Sequence, residues 1–584
     1  MLALSAATTA ILIACLLYYS SYGLNLSDEG FYLNFIANPL PYAINIPPTL
    51  FGFVYHWPYQ WVDGDIAVLR MANVTLTIGL GWILSFLVIR RLWTVGLPHA
   101  AVLSAGIASL ALCHVWLLKP SYYALAFQSL LMVMIGLLLA DRPGRMRQVL
   151  GAIQVGVGGW CCFMARPTTA SAIAFVVILY VVAFRRKAML PLLGAALVAL
   201  ALLTVTAYLI EDGVIGMVTR MVNSAKMEIL LGAGHDLSLM FRIDWFVTTR
   251  SQLAIAVAMA TALLLSIVMG AAHKLLPSLG LAAVLILTIA IALLGPHGIS
   301  VEPSTVFLVS AFACLGVMFY REGVVLRTQT CPSIALGITF LILPHLFAHG
   351  SSFNHWLIGS MDALFWMLAL VAFLSPLAQQ ERSVAILLPL TVFTQLLTAT
   401  VINGGLLKPF RQEKDQRAYM AVMSMPGGKK LVLSQSLHDY LATAKAQARV
   451  AGLEVGTPVV DLTGMSPGLL YVLEVRALGL PWLIGGYRGS SAVAVEVLGL
   501  ENCADLAKAW LLIEPEGPYH LDQASVMASF GAGQAEYVAT AAFAPPVFED
   551  DYPKAARQFL LKPVRPAALA EQSCREARRA RPHR

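Results

Sequence analysis

The feature that most constrains this chain is a series of apolar runs, each about 20 residues long, the length an α-helix needs to cross the hydrocarbon core of a bilayer. They fall near 2–20, 69–89, 100–118, 121–140, 149–165, 167–184, 188–210, 251–272, 275–295, 304–320, 332–348, 356–376 and 383–402, about thirteen in all. Hydrocarbon offers backbone N–H and C=O groups no water, so runs of this length must be helical. Residues 1–402 are therefore expected to form an all-α polytopic membrane bundle. Composition agrees: 58% of the residues are hydrophobic and 12% charged, which excludes an ordinary soluble enzyme. Lys and Arg exceed Asp and Glu by 39 to 32, but the excess sits in short patches between apolar runs. That pattern marks topology and excludes nucleic acid as the expected partner.

Orientation follows from those patches, because cytoplasmic loops are enriched in Lys and Arg. Arg90 and Arg91, then Arg142, Arg145 and Arg147, then Arg185, Arg186 and Lys187, then Lys274, then Arg321 and Arg327, then Arg382 all follow even-numbered runs. This parity puts the N-terminus in the cytoplasm and everything after the last run outside. The first run lacks a basic n-region and a cleavage site, so it is expected to remain as a helix. Of the segments that then face the outer compartment, four are rich in functional residue types: 21–66, 211–250 (the fourth outer loop), 296–303 and the tail from 403. Any chemistry is expected there, with interfacial helices in the first and fourth of the outer loops.

The tail, 403–584, reads as a separate soluble α/β domain. Lys430–Ser434, Pro458–Leu462 and Trp510–Glu514 have the β-branched and aliphatic character of strands, and 436–450 and 466–478 read as helices. Gly485-Gly-Tyr-Arg-Gly-Ser490 lacks the Walker spacing and its Lys, so it is not read as a phosphate loop. The basic end, Arg575–Arg584, is expected to fray. The cysteines 15, 113, 161, 162, 314 and 331 lie in or beside apolar runs and need no explanation beyond packing. Cys503 and Cys574 fall in the polar tail, on the oxidising side by this parity, and are candidates to pair.

The most informative polar stretch is Leu26-Ser-Asp-Glu-Gly-Phe-Tyr-Leu33, just past the first helix. A carboxylate held at the membrane boundary reaches a substrate whose tail lies in lipid, and partial desolvation raises its proton affinity toward that of a general base. Asp28 is the candidate base, with Glu29 beside it. The competing reading is that both acids cap the start of an interfacial helix.

With its inside N-terminus, an Asp-Glu pair opening the first outer loop, aromatics after it and a long stretch closing on Arg70, the chain resembles the GT-C glycosyltransferases. It is most similar to the bacterial branch that holds the lipid A aminoarabinose transferase and the protein O-mannosyltransferases. The resemblance implies inverting transfer of a sugar from a polyprenyl-phosphate donor to a lipid, polysaccharide or protein acceptor, at the periplasmic face of a bacterial inner membrane. Asp28 would be the base. No cofactor is implied, although a divalent metal is compatible. The leaving phosphate is already a stable anion and needs no protonation, but Arg or Lys should clamp its oxygens. Arg166, in Ala-Arg-Pro-Thr-Thr169, is the leading candidate; Arg70, Lys119, Lys408 and Arg411 are others, and each is also read as a helix-end anchor.

The chain departs from the family pattern at Lys119-Pro-Ser-Tyr-Tyr123, where many members carry a second acid. Glu211, Asp212, Asp236 and Asp244 are the substitutes available, and the residues do not choose among them. His345 and His349, four apart, form a candidate metal pair; His355 and the intramembrane Asp362 are candidate substrate-lining groups. Tyr32, Tyr55, His56 and Trp57 in the first outer loop are further lining candidates, against the reading that they form an interfacial aromatic belt. Two other functions compete: a lipid-linked solute transporter or flippase, for which no repeated halves are seen, and a polysaccharide polymerase, ligase or assembly partner.

Overall fold

The computed structural model describes the chain except residues 113, 115–116, 185–188, 233–243, 247, 271–274, 296–302, 320–323, 380–382, 548–555 and 581–584. Cys113, Arg185, Arg186, Lys187, Asp236, Lys274, Arg321 and Arg382 lie outside the described residues, as does most of the expected outer segment 296–303.

Among the described residues, ten helices are long and apolar enough to cross a membrane. Three more of the expected runs form shorter apolar helices, Leu97–Leu112, Pro167–Leu179 and Thr305–Met318. The sequence count of about thirteen thus separates into ten full-length helices and three short ones. The run expected to reach residue 118 shows why: its α-helix stops at Ala108 and tightens into a 3-10 turn over Ser109–Leu112.

The chain divides into two compact units. The first comprises Met1–Ser20, Arg70–Val205 and Leu237–Leu407. Part of its core joins Leu12 and Leu16 to Val74, Ile78, Ala108, Ile291 and Ile402. Aliphatic packing alone gives little specificity between helices in lipid, and buried amides supply directed contacts. Gln128 Nε2 donates to Asn73 Oδ1 and to Thr77 Oγ1, both at 2.9 Å. Gln395 Nε2 donates to Ser5 O and Thr9 Oγ1, both at 2.7 Å. Helices Tyr122–Ala140 and Arg145–Ala165 approach backbone to backbone: a Cβ on Gly136 would lie 2.8 Å from Gly151 O, and one on Gly151 would lie 2.6 Å from Gly136 O.

The second unit gathers Ser21–Leu69, Thr206–Asp236 and Lys408–Arg584. These are largely three of the segments that charge parity puts on one face. They share one hydrophobic core, in which Ile44 and Leu231 join Val460, Leu478, Val493 and Leu511 of the tail. A common core requires the three to lie on the same side of the bilayer. The tail carries a hairpin, β1 (Ala421–Ser424) with β2 (Lys430–Leu433), and a five-stranded sheet of β3 (Pro458–Asp461), β4 (Arg476–Ala477), β5 (Trp510–Ile513), β6 (Tyr537–Phe543) and β7 (Gln558–Pro563). Sheet order is β4-β3-β5-β7-β6, with β4, β3 and β5 parallel and β7 antiparallel to both its neighbours. Because β3 has β4 on one side and β5 on the other, the chain changes direction across the carboxyl ends of β3 and β5.

Two tail expectations are corrected. The helix expected over 466–478 is only Pro467–Val472 long, because Glu474 turns into the left-handed region (φ 58°) and releases Arg476–Ala477 to pair with β3. The basic end does not fray where it is described. Arg575 lies in the helix Ala567–Ala580, Arg578 donates to Leu498 O at 3.2 Å, and Cys574 forms a disulfide with Cys503.

Candidate active site

The Asp-Glu pair opens the helix Asp28–Ala37 in the second unit. The turn before it is built by Asn25, whose Oδ1 accepts from Ser27 N–H and Ser27 Oγ, both at 2.9 Å. Glu29 folds back and accepts Asn25 N–H at 3.2 Å, and it is buried. The two acids therefore part ways. Glu29 closes the turn, as the capping reading expects of an acid in a first helical turn. Asp28 stays one-third exposed and is bound by Arg411, whose Nη1 reaches Asp28 Oδ2 at 3.1 Å and Ser27 Oγ at 2.9 Å.

Arg411 is delivered by local geometry that the sequence does not signal. It sits in the left-handed region (φ 52°), which costs a non-glycine residue about 1–2 kcal/mol. The carbonyl before it, Phe410 O, is tied to the acid loop by Asn25 Nδ2 at 3.0 Å. Asn25 thus orders both the turn that presents Asp28 and the segment that presents Arg411.

The tail grips the same helix from its other side. Gly468 N–H donates to Leu26 O at 2.7 Å, and Asn34 Nδ2 donates to Pro467 O at 2.7 Å. A Cβ on Gly30 would stand 2.2 Å from Gly468 N, so the two backbones are in contact. Deeper in, the Tyr59 and Tyr471 hydroxyls share a hydrogen bond at 2.9 Å.

The aromatics of the first outer loop mostly build this scaffold. Tyr32 and Tyr55 are buried against Phe51, which also packs on Phe31 and Phe35, with ring centroids 5.3–6.4 Å apart. His56 Nδ1 lies 2.7 Å from Ile36 O, where it closes the end of helix Asp28–Ala37. Trp57 is exposed, as is Lys408. Of the candidate second acids, Glu211 is paired with Arg220 at 2.5 Å and Asp212 is exposed.

The remaining candidates belong to the first unit. Arg70 Nη1 donates to Ser20 O at 2.8 Å and serves the end of the first helix. Lys119 is half-buried in the turn before Ser121, which caps helix Tyr122–Ala140. Arg166 is buried; its Nη1 donates to Phe347 O at 2.7 Å and its Nη2 to His349 O at 3.4 Å, with the guanidinium 5.6 Å from the Tyr123 ring and 5.4 Å from the Phe347 ring. It therefore neutralises carbonyls at the end of helix Cys331–Ala348. Asp244 caps the next helical segment by accepting His355 N–H at 2.6 Å. Asp362 is fully buried, and neither carboxylate oxygen has a hydrogen-bond partner among the described residues. His345 packs edge-on against Trp356, with centroids 4.8 Å apart. His349 has left the helix as its C-cap, so the two histidines do not share a helical face. Among the described residues no group of three or more His, Cys, Asp or Glu is placed to hold a metal ion.

Ten span-length helices among the described residues, a mixed-sheet α/β domain and an acid-arginine pair at the head of a loop helix define the kind of protein with which the chain can be compared. No family model and no curated protein matches it. Among solved structures it is similar to ArnT from Cupriavidus metallidurans bound to undecaprenyl phosphate, at 12% identity over 96% of this chain and 97% of that one, with a TM-score of 0.43. The apo form of the same protein gives the same identity and coverage at 0.40. It is also similar to the Archaeoglobus fulgidus oligosaccharyltransferase tethered to an acceptor peptide, at 13% identity over 87% of this chain and 69% of that one, with a TM-score of 0.41.

Proposed function

We propose that the protein is an inverting glycosyltransferase that moves a sugar from a polyprenyl-phosphate carrier to a cell-envelope acceptor at the periplasmic face of a bacterial inner membrane. The observation that carries this reading is the pairing of Asp28 with Arg411: one accessible carboxylate beside one cation, which is the minimum the reaction needs. In the proposed step an acceptor O–H or N–H gives its proton to Asp28 while its lone pair attacks the anomeric carbon. The bond from that carbon to the phosphate oxygen breaks on the opposite face, its electron pair leaves with the polyprenyl phosphate, and configuration inverts. Arg411 then has a fixed cation ready for the departing anion.

Two further features support the orientation. The arginine patches follow even-numbered runs. The Cys503–Cys574 disulfide belongs in an oxidising compartment such as the periplasm.

The test is to purify wild type and Asp28→Asn and measure sugar release from a panel of polyprenyl-phosphate sugars. The amide keeps the shape and removes the base, so turnover should fall by about 10²–10⁴. Wild-type turnover in the variant would remove Asp28 from the chemistry.

A further inference from the structure

We infer that Asn25 is a positioning residue for sugar transfer: its one buried amide fixes the spacing between the base Asp28 and the cation Arg411, which their own ion pair is too weak to set. The inference rests on reading that pair as the place of reaction. Asn25 acts on it through Ser27 and through the peptide unit that joins Phe410 to Arg411.

The pair does not hold itself together. Both side chains are partly exposed, and an exposed ion pair contributes little because water screens it. The Phe410 ring, its centroid 4.9 Å from the Arg411 guanidinium, adds a contact that is exposed as well. Against both stands the left-handed backbone of Arg411, which a residue other than glycine keeps only where its surroundings impose it.

Asn25 is 1% exposed and supplies that constraint. Its Oδ1 faces two donors, the N–H and the hydroxyl of Ser27, and its Nδ2 faces an acceptor, Phe410 O. The two ends of the amide are thereby told apart: reversing it would set hydrogens against the Ser27 donors and oxygen against oxygen at Phe410. A buried amide is costly to leave unpaired, so the acid turn and the peptide unit ahead of Arg411 are held at one separation. Ser27 completes the link. Its hydroxyl lies 2.9 Å from Asn25 Oδ1, accepts Arg411 Nη1 at 2.9 Å and stands 3.3 Å from Asp28 Oδ2. In the proposed step, proton removal by Asp28 and charge neutralisation by Arg411 occur together, so their separation bears directly on rate; a misplacement of about 1 Å costs about 10²-fold.

The same stretches are fastened to each other at a second point. Gln416 Nε2 donates to Tyr22 O at 2.8 Å, and Gly23 N–H donates to Val432 O at 2.8 Å. These bonds close the junction five or more residues beyond Arg411, whereas Asn25 is bonded to the peptide unit next to it. Loss of Gln416 should therefore loosen the junction, and loss of the Asn25 amide should misplace the cation.

The test uses the full chain in lipid nanodiscs and single-turnover transfer from the undecaprenyl-phosphate sugar that wild type turns over fastest. Asn25→Ser is the variant of choice: its hydroxyl still offers Ser27 N–H an acceptor, carries no charge and is too short to reach Phe410 O. It should lower turnover about 10²-fold. In the Arg411→Ala background the same change should cost no more than about 2-fold, because the group whose place it fixed is gone. Gln416→Ala should lower the melting temperature at least as much as Asn25→Ser and stay within about 2-fold of wild-type turnover. Wild-type turnover in Asn25→Ser overturns the inference. A full further loss in the Arg411→Ala background overturns it too, since Asn25 would then act without the cation, as does an equal loss in Gln416→Ala, which would make junction firmness the requirement. Unchanged turnover in both Asp28→Asn and Arg411→Ala is a different failure: it removes the site itself, and the inference with it.

Discussion

Arg411 Nη1 donates to Asp28 Oδ2 at 3.1 Å although the two residues stand 383 positions apart. Neither side chain is buried, with 29% and 32% of their side-chain surfaces exposed, and ion pairs of this exposure contribute about 0–1 kcal/mol to stability. Stability is a poor reason for such a pair, and the left-handed backbone at Arg411 makes it poorer still. The pairing is better explained by what it places side by side: a proton acceptor and an anion clamp.

Arg411→Ala should accordingly separate activity from stability. The thermal midpoint is expected to stay within the effect of about 1 kcal/mol. Loss of a fixed cation aimed at a developing phosphate charge should lower kcat by about 10²–10³. Thermal unfolding and single-turnover sugar transfer on the same preparation check both halves; a large fall in stability with unchanged transfer would make the pair a structural one.

Gly30→Ala should be harmful although alanine is the better helix former. By propensity alone the change would add up to about 1 kcal/mol of stability. The new Cβ, however, would stand 2.2 Å from Gly468 N and 2.4 Å from Gly468 Cα, both backbone atoms. Overpacking of this kind costs about 1–3 kcal/mol and would tilt the helix that presents Asp28. Gly79→Ala, where a Cβ meets nothing within 4 Å, is the control. Denaturant melts and turnover of the two variants should diverge, with only the Gly30 variant losing both.

Asp461, at the carboxyl end of β3, gives the tail a pH dependence. Burial, the largest cause, pushes its carboxyl from 3.8 up to about 6; hydrogen bonds from Thr463 pull the other way, and Glu514 adds to the rise. A carboxyl raised in the folded state favours folding while it is protonated. That contribution is whole below the unfolded value near 3.8 and is lost as pH rises through about 6. The difference corresponds to about 3 kcal/mol. The stability of the tail should therefore fall between about pH 4 and 6.5 and then level off. Asp461→Asn, which keeps an acceptor for Thr463, should flatten that part of the profile. Chemical denaturation followed across this range checks it, and a parallel slope in the variant would assign the pH dependence to another group.

Much of the membrane part was legible from apolar run length. Helices Tyr122–Ala140, Arg145–Ala165, Met189–Ile210 and Cys331–Ala348 begin and end within a few residues of the runs that announce them. Run length is a local property, and lipid enforces helix wherever it is met. In the tail, β2, β3 and β5 were legible from their aliphatic character. The strand Arg476–Ala477 was not, since its two residues have no pattern of their own and pair only because β3 lies beside them. The candidate site divides in the same way. Asp28 stands out by its position after the first helix and Arg411 by its place just past the last run, whereas the separate roles of Asp28 and Glu29, and the pairing of Arg411 with Asp28, carry no signal in spacing.

The sequence by itself determined which stretches become membrane-length helices, that an acid pair opens the first outer loop, and that a chemically different domain closes the chain. These follow from length, hydropathy and charge, which act residue by residue. Only the tertiary structure decided that 21–69 and 206–236 join the tail in one core, that Glu29 closes a turn while Asp28 faces Arg411, and that Gly30 meets Gly468 backbone to backbone. The reason is physical: such contacts depend on packing between segments hundreds of residues apart, and the free energy that selects them belongs to the assembled core and to no single stretch of chain.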